Sequence, residues 1–111
     1  MEISLTIVED HVLEIAERWL AEGHRVALAT VIETWGSAPR PAGSAMAISD
    51  DSDFAGSVSG GCVEGAVIEA AADTIRTGLS RRMNFGVADE SAWSAGLACG
   101  GQIQIRLERI D

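Results

Sequence analysis

The sequence predicts one domain of the α/β or α+β class, in which a mixed β-sheet of about five strands is covered by two main helices. Two segments repeat apolar residues at helical spacing, and short segments rich in β-branched residues lie between and after them. The length of 111 residues suits a single domain with one modest core. We therefore expect residues 1–111 to fold as one unit.

Helices are predicted over residues 7–22 and roughly 62–77. The apolar residues of the first recur at helical spacing: Val8, Val12, Ile15, Ala16, Trp19 and Leu20. Thr6 and Glu9 have the spacing of a capping box, and Gly23 suits the end of this helix. The second helix has Ser59 as its candidate N-cap and stops at Gly78.

Strands are predicted at 25–32, 44–48, 53–58, 81–87 and 102–110. Residues 25–32 are apolar and partly β-branched, which is typical of a buried strand, whereas residues 102–110 alternate polar and apolar and indicate a half-buried one. The polar turn at 49–52 predicts that the second and third strands form a hairpin. Residues 81–87 are expected at a sheet edge.

The composition limits the partners and the compartment. The net charge is −9 and every basic residue is an arginine, which argues against nucleic acid and anionic membranes as partners. The first residues lack the features of a secretory signal, and no apolar run approaches the length of a transmembrane helix. These features favour the cytoplasm, where the two cysteines are expected as thiols, although they can pair if their Cα atoms lie close together.

Cys62 stands in a glycine-rich turn, GSVSGGCVEG, between a predicted strand and a predicted helix. The free N–H groups of a helix N-terminus bind anions, and they lower the pKa of a thiol in the first turn below its free value of about 8.5. Such a thiolate favours nucleophilic chemistry, sulfur transfer or a soft metal. The alternative is that cysteine is simply a small residue filling a tight turn. Glu64, two positions later, suits the positive end of the helix dipole and is also a possible proton acceptor or ligand.

Two further segments carry candidate residues. The loop at 33–43 presents Trp35, Ser37 and Arg40, which suit a flat ring and a phosphate, although Trp35 is equally able to cover the core. Cys99 is followed by Gly100, Gly101 and Gln102 in a turn that enters the last strand. The cysteine and histidine spacing does not match a zinc site.

The segments ATVIETWGSAPRPAGSAMAI, GSVSGGCVEGAVIEAA and GLACGGQIQI together resemble the N-terminal domain of the XdhC/CoxI family. The resemblance runs from about Glu9 to Arg109. Members of this family are accessory proteins of molybdenum hydroxylases such as xanthine dehydrogenase and carbon monoxide dehydrogenase. Many of them continue into a Rossmann-like C-terminal domain, which the 111 residues do not contain.

The resemblance implies that the protein is not itself a turnover enzyme. It would bind molybdenum cofactor as cargo, protect it, assist its sulfuration and insert it into the apo-enzyme. The implied partners are that apo-enzyme, a cysteine desulfurase, a separate Rossmann-domain chain and further copies in a homo-oligomer. Cys62 and Cys99 would meet a metal only through this cofactor. The implied cofactor-binding residues are Trp35, Ser37, Arg40, Ser59, Gly60, Gly61, Cys62, Glu64, Cys99, Gly100, Gly101 and Gln102.

Two other interpretations remain open at this stage. The domain is an interaction module that docks a Rossmann-domain chain or the apo-enzyme without holding cofactor, with the glycine motifs serving only the fold. Alternatively it is a small thiol enzyme that uses Cys62 as nucleophile with Glu64 or His24 as base.

Overall fold

The structure, a computed structural model, describes residues 5–35, 41–59, 63–85 and 102–110. These residues form two helices and five strands, as the sequence predicts. In chain order the elements are α1 (Leu5–Ala21), β1 (Val26–Trp35), β2 (Ala45–Ser49), β3 (Phe54–Gly56), α2 (Glu64–Thr77), β4 (Arg81–Phe85) and β5 (Gln102–Ile110).

The five strands form one sheet in the order β3-β2-β1-β5-β4. All four pairings are antiparallel, so the expected mixed sheet is wrong and the fold is the α+β alternative. The reason is the path of the chain through α2. This helix carries the chain from one edge strand, β3, to the other, β4. Strands β3 and β4 run in the same direction, but three strands lie between them. No two neighbouring strands are therefore parallel.

The helices pack on opposite faces of the sheet because the buried residues of the strands alternate. Ala27, Ala29 and Val31 of β1 join one buried cluster, which contains Val67 and Ala71 of α2. Val26 and Leu28 belong to a second cluster together with Val12, Ala16, Trp19 and Leu20 of α1. The alternation of β5 is confirmed as well, with Ile103, Ile105 and Leu107 buried in the α2 cluster.

The boundaries of several elements differ from the predicted ones. Helix α1 begins at Leu5, which places Thr6 inside the helix rather than at its N-cap. Strand β1 continues three residues beyond its predicted end, to Trp35, because Glu33–Trp35 pair with β5 after a register shift that follows Val31. The predicted hairpin of β2 and β3 and the edge position of β4 are confirmed.

The end of α1 is fixed by its backbone and by the β2–β3 turn. Gly23 has a φ of 94° and donates to the carbonyl of Leu20, while the N–H of His24 donates to the carbonyl of Trp19. This is a Schellman motif, in which glycine provides the left-handed residue. His24 Nδ1 also lies 2.8 Å from Asp50 Oδ1, so the imidazole ties the helix end to the hairpin turn.

Gly56 ends β3 at a point where only glycine fits. Its φ is 85°, and a Cβ there would lie 2.4 Å from the carbonyl oxygen of Ala45 and 2.7 Å from Cγ2 of Val12. Gly43 also has a positive φ, of 94°, but a Cβ there meets nothing within 4 Å. A Cβ at Gly56 therefore meets both backbone strain and steric overlap, whereas a Cβ at Gly43 meets backbone strain alone.

We expect Gly56→Ala to lower the free energy of unfolding by about 2–4 kcal/mol, since it combines a left-handed conformation with overpacking. Gly43→Ala carries the conformational cost alone and should lose about 1–2 kcal/mol. Urea denaturation of both variants measures the difference. Equal losses would contradict the close approach of β2, β3 and α1.

Candidate functional site

Two of the candidate segments adjoin residues that lie opposite each other at one end of the sheet. In the antiparallel pair of β1 and β5, the last residue of β1, Trp35, lies opposite the first residue of β5, Gln102. Strand β4 ends at the same level, because Phe85 pairs with Ile103. Strand β3 runs in the same direction as β1, but it leaves the sheet at Gly56, which is level with Ala29 through Met46 of β2. The described residues therefore place two of the three candidate segments next to this end, and the third follows a strand that ends about six residues earlier.

A buried carboxylate organises the turn between β3 and α2. Glu64 is only 8% exposed and stands in the first turn of α2. Its Oε2 accepts hydrogen bonds from Ser57 Oγ at 2.5 Å, from the Val58 N–H at 3.0 Å and from the Ser59 N–H at 2.9 Å. Its Oε1 accepts a hydrogen bond from Ser59 Oγ at 2.5 Å. One side chain thus holds three consecutive residues of the turn.

Ser59 links the turn to the start of the helix. Its hydroxyl oxygen accepts a hydrogen bond from the Val63 N–H at 2.9 Å while it donates to Glu64. Ser59 is not the N-cap that the sequence suggests, because α2 begins at Glu64 and Val63 is the N-cap residue, without a side-chain cap. Ser59 and Val63 are therefore fixed on either side of residues 60–62.

The environment of Glu64 keeps its carboxyl ionised. Burial by itself raises the pKa, but the hydrogen bonds from the Ser57 and Ser59 hydroxyls and from two backbone N–H groups outweigh it and lower the pKa to about 2. Carboxylates that accept several hydrogen bonds behave in this way. A group with so low a pKa is a weak proton acceptor at neutral pH. Glu64 acts here as a structural anion that shapes the turn, which speaks against its use as a catalytic base.

The structure describes only part of the predicted site. It brings Trp35 and Gln102 opposite each other, with the backbone alone described for Trp35, and it joins Ser59 to Glu64. The second helix was predicted from about residue 62, whereas α2 begins at Glu64. The remaining predicted residues lie outside the described part of the chain: Ser37, Arg40, Gly60, Gly61, Cys62, Cys99, Gly100 and Gly101.

Sequence analysis missed the role of Ser57, whose hydroxyl binds the buried carboxylate. The sequence feature that could have indicated this role is a pair of serines two residues apart, followed by a glutamate at the start of a helix. In a capping box the glutamate accepts from the N-cap residue three positions before it. In this protein the carboxylate reaches back five to seven residues instead.

A second polar cluster lies at the other end of β1 and β2. His24, Asp50 and Asp51 have one possible ligand atom each within 4.8 Å of one another. The hydrogen bond to Asp50 raises the pKa of His24 above its ordinary value of 6.5. Asp50 also accepts from the N–H of Arg25 at 3.2 Å. These contacts give the cluster a structural role, because they link the end of α1 to the turn between β2 and β3.

Across the described ranges, neither helix has the length and apolar character that a membrane crossing needs.

Comparison with known proteins finds a matching family model and similar curated proteins. The family model described as the XdhC and CoxI family matches residues 19–86. The chain is 35% identical over 107 residues to the molybdenum cofactor insertion chaperone PaoD of Escherichia coli strain K12, covering 94% of this chain and 33% of that protein. It is 34% identical over 94 residues to a probable xanthine dehydrogenase subunit of Bacillus subtilis strain 168, covering 82% of this chain and 28% of that protein.

Among solved structures, a xanthine dehydrogenase chain from Bacillus halodurans has a similar fold. The TM-score is 0.73 at 29% sequence identity, over 89% of this chain and 30% of the other. The chain thus spans about a third of the length of each of these proteins.

We expect Glu64→Gln to lower the free energy of unfolding by about 2–3 kcal/mol at pH 7, because the amide cannot accept all the hydrogen bonds that the carboxylate accepts. The folded-state pKa lies below the usual 4.5, so this contribution is complete above pH 4.5 and disappears as the pH falls toward 2. Denaturant unfolding between pH 7 and pH 2.5 measures it. Glu69→Gln, on the exposed face of the same helix, serves as the matched control. A constant difference between Glu64→Gln and the native protein over this range would contradict the assignment.

Proposed function

Since the chain belongs to the XdhC and CoxI family, we propose that it serves the maturation of a molybdenum hydroxylase. In this proposal the domain binds molybdenum cofactor as cargo and passes it to the apo-enzyme. The relative in Escherichia coli carries the name of a molybdenum cofactor insertion chaperone, which supports this role. The domain is then an accessory factor and not a turnover enzyme.

The observation that carries the proposal is that Trp35 and Gln102, each adjoining a candidate segment, lie opposite each other at one end of the sheet. Strand β3 runs in the same direction as β1, and residues Ser57–Ser59 follow it. We propose that the cargo binds at this end and contacts the segments that contain Cys62 and Cys99 and the loop that contains Ser37 and Arg40.

The chemistry of the cargo fits the residue types at this end. Molybdenum cofactor combines a flat pterin, a phosphate and a dithiolene that binds the metal. Arginine and backbone N–H groups are the usual partners of phosphate, and thiolates suit molybdenum or a mobile sulfur. The contacts of Glu64 hold the turn from Ser57 to Ser59 and, through Ser59, also Val63. We propose that this fixed frame positions Gly60, Gly61 and Cys62 toward the cargo.

A second function is favoured by the size of the relatives. The chain spans about a third of their length, so most of each relative lies outside the matched region. In this alternative the domain docks the apo-enzyme or a Rossmann-domain chain and holds no cofactor by itself. The glycine motifs would then serve the fold alone.

Anaerobic equilibrium binding of purified molybdenum cofactor distinguishes the two functions. We expect the native domain to bind the cofactor and the Cys62→Ala/Cys99→Ala variant to bind at least tenfold more weakly, because the soft sulfur ligands are gone. The matched control is Cys62→Ser/Cys99→Ser, which keeps the side-chain size and removes the thiols. Circular dichroism and thermal unfolding establish that each variant is folded.

Weak binding by both double variants supports a thiol-dependent cargo site. Full affinity in the serine variant alone would mean that the cysteines only fill space, and full affinity in both would overturn their role. Absence of binding by the folded native domain would favour the docking function.

A further inference from the structure

Two arginines face each other across the outer strand pair of the sheet. Arg82 of β4 and Arg106 of β5 are register partners in the antiparallel pairing. Their neighbours Met83 and Ile105 belong to the cluster on the α2 side, so the two arginines lie on the opposite face. Both are exposed, whereas Arg81, the residue before Arg82 on the edge strand, pairs with Leu107 of the α2-side cluster.

This arrangement is electrostatically unfavourable by itself. Like charges directly opposite each other on neighbouring strands destabilise a sheet. Arg106 has one carboxylate nearby, Glu108, whose oxygen lies 3.8 Å from Nη2. Within the described residues, no carboxylate comes within 4.0 Å of the guanidinium of Arg81 or Arg82. The protein has 17 acidic residues and a net charge of −9, so a shortage of carboxylates does not explain why so few of them lie near these arginines.

Helix α2 contains Asp73, an acidic residue whose pKa is affected by the edge strand. The charge of Arg81 helps to lower the pKa of Asp73, although the hydrogen bond from Arg76 is the larger cause. Asp73 forms its ion pair with Arg76, at 2.8 Å. Asp73 is therefore already engaged on its own helix, and among the described residues Glu108 is the one carboxylate within 4.0 Å of Arg82 or Arg106.

The arginines also share a concave surface. A depression of about 370 Å³ is lined by Ser80, Arg81, Arg82 and Arg106. Two of the lining residues, Arg82 and Arg106, lie on the same face of the sheet, and guanidinium carries donors and no acceptor. A surface that offers such donors and two positive charges is complementary to an oxyanion.

We propose that this depression, the arginine site, binds a phosphate group or a short polyphosphate. A single carboxylate would compensate one of the two positive charges, whereas a phosphate dianion or a polyphosphate compensates both. Bound anion removes the repulsion between Arg82 and Arg106, so part of the binding free energy comes from relief of an unfavourable contact. Guanidinium groups form paired hydrogen bonds with phosphate oxygens, which gives the site its preference over chloride.

The arginine site is separate from the end of the sheet that holds the candidate motifs. Arg106 lies four residues along β5 from Gln102, or about 13 Å. Ser80 follows the C-terminal end of α2, while Glu64 begins that helix, about 20 Å away along its axis. The inference therefore does not depend on the binding of molybdenum cofactor.

Calorimetric titration with inorganic phosphate and with tripolyphosphate, in chloride buffer of matched ionic strength, tests the arginine site. We expect the native protein to bind at least one of the two anions, and Arg82→Gln and Arg106→Gln each to lower that affinity at least fivefold. Arg18→Gln, an exposed arginine on α1, removes the same charge elsewhere and should change the affinity less than twofold. Binding of tripolyphosphate alone would identify a polyphosphate group as the occupant, and binding of both would identify a single phosphate group.

Thermal unfolding gives an independent readout. In chloride alone Arg82→Gln should raise the Tm by about 1–4 °C, because the substitution removes the charge that faces Arg106. Phosphate should raise the Tm of the native protein further, and this additional rise should be absent in Arg82→Gln. The proposal is overturned if phosphate and chloride act alike at equal ionic strength, or if Arg18→Gln loses as much affinity as Arg82→Gln. It is also overturned if Arg82→Gln lowers the Tm and retains the affinity.

Discussion

The buried carboxylate of Glu64 is the interaction on which the organisation of the candidate site depends. Two serine hydroxyls and two backbone N–H groups converge on its oxygens and compensate its charge away from water. Without those donors, burial of an ionised carboxyl would be unfavourable by several kcal/mol. The fold therefore requires the turn and the carboxylate together, and neither Ser57 nor Ser59 is replaceable without leaving part of a buried charge unpaired.

This contact has a consequence for the rest of the molecule. Strand β3 is only three residues long and lies at the sheet edge, so its pairing alone fixes little of the chain that follows. Glu64 connects that edge to the first turn of α2, and α2 in turn packs through Val67 and Ala71 on the central strands. The glycine-rich segment between Ser59 and Val63 is thus attached at both ends to the core. In the proposed function this attachment supplies preorganisation, since a ligand that meets a fixed turn does not have to order it.

The sequence predicts those parts of this structure that depend on local patterns. Helical spacing located α1 and α2, and the alternation of Ile103, Ile105 and Leu107 located β5 with its buried face. The antiparallel sheet was not predictable in this way, because strand order results from contacts between distant residues. The same limit applies to the arginine site, where Arg82 and Arg106 become neighbours only through the register of β4 and β5. The role of Glu64 was partly predictable, as an acidic residue at a helix start, but its bonds to the preceding turn were not.

In the proposed function Cys62 and Cys99 contribute to one cargo site, and a distance between the two cysteines is the sharpest test of that proposal. Cys62 and Cys99 are the only cysteines, so spin labels attach to both without further mutation. Electron paramagnetic resonance then measures the separation of the labels. A five-stranded sheet is about 20 Å wide, and β1 alone is about 34 Å long. If both cysteines reach one cargo, we expect a label separation below about 25 Å, whereas a separation beyond about 30 Å would rule out a shared site.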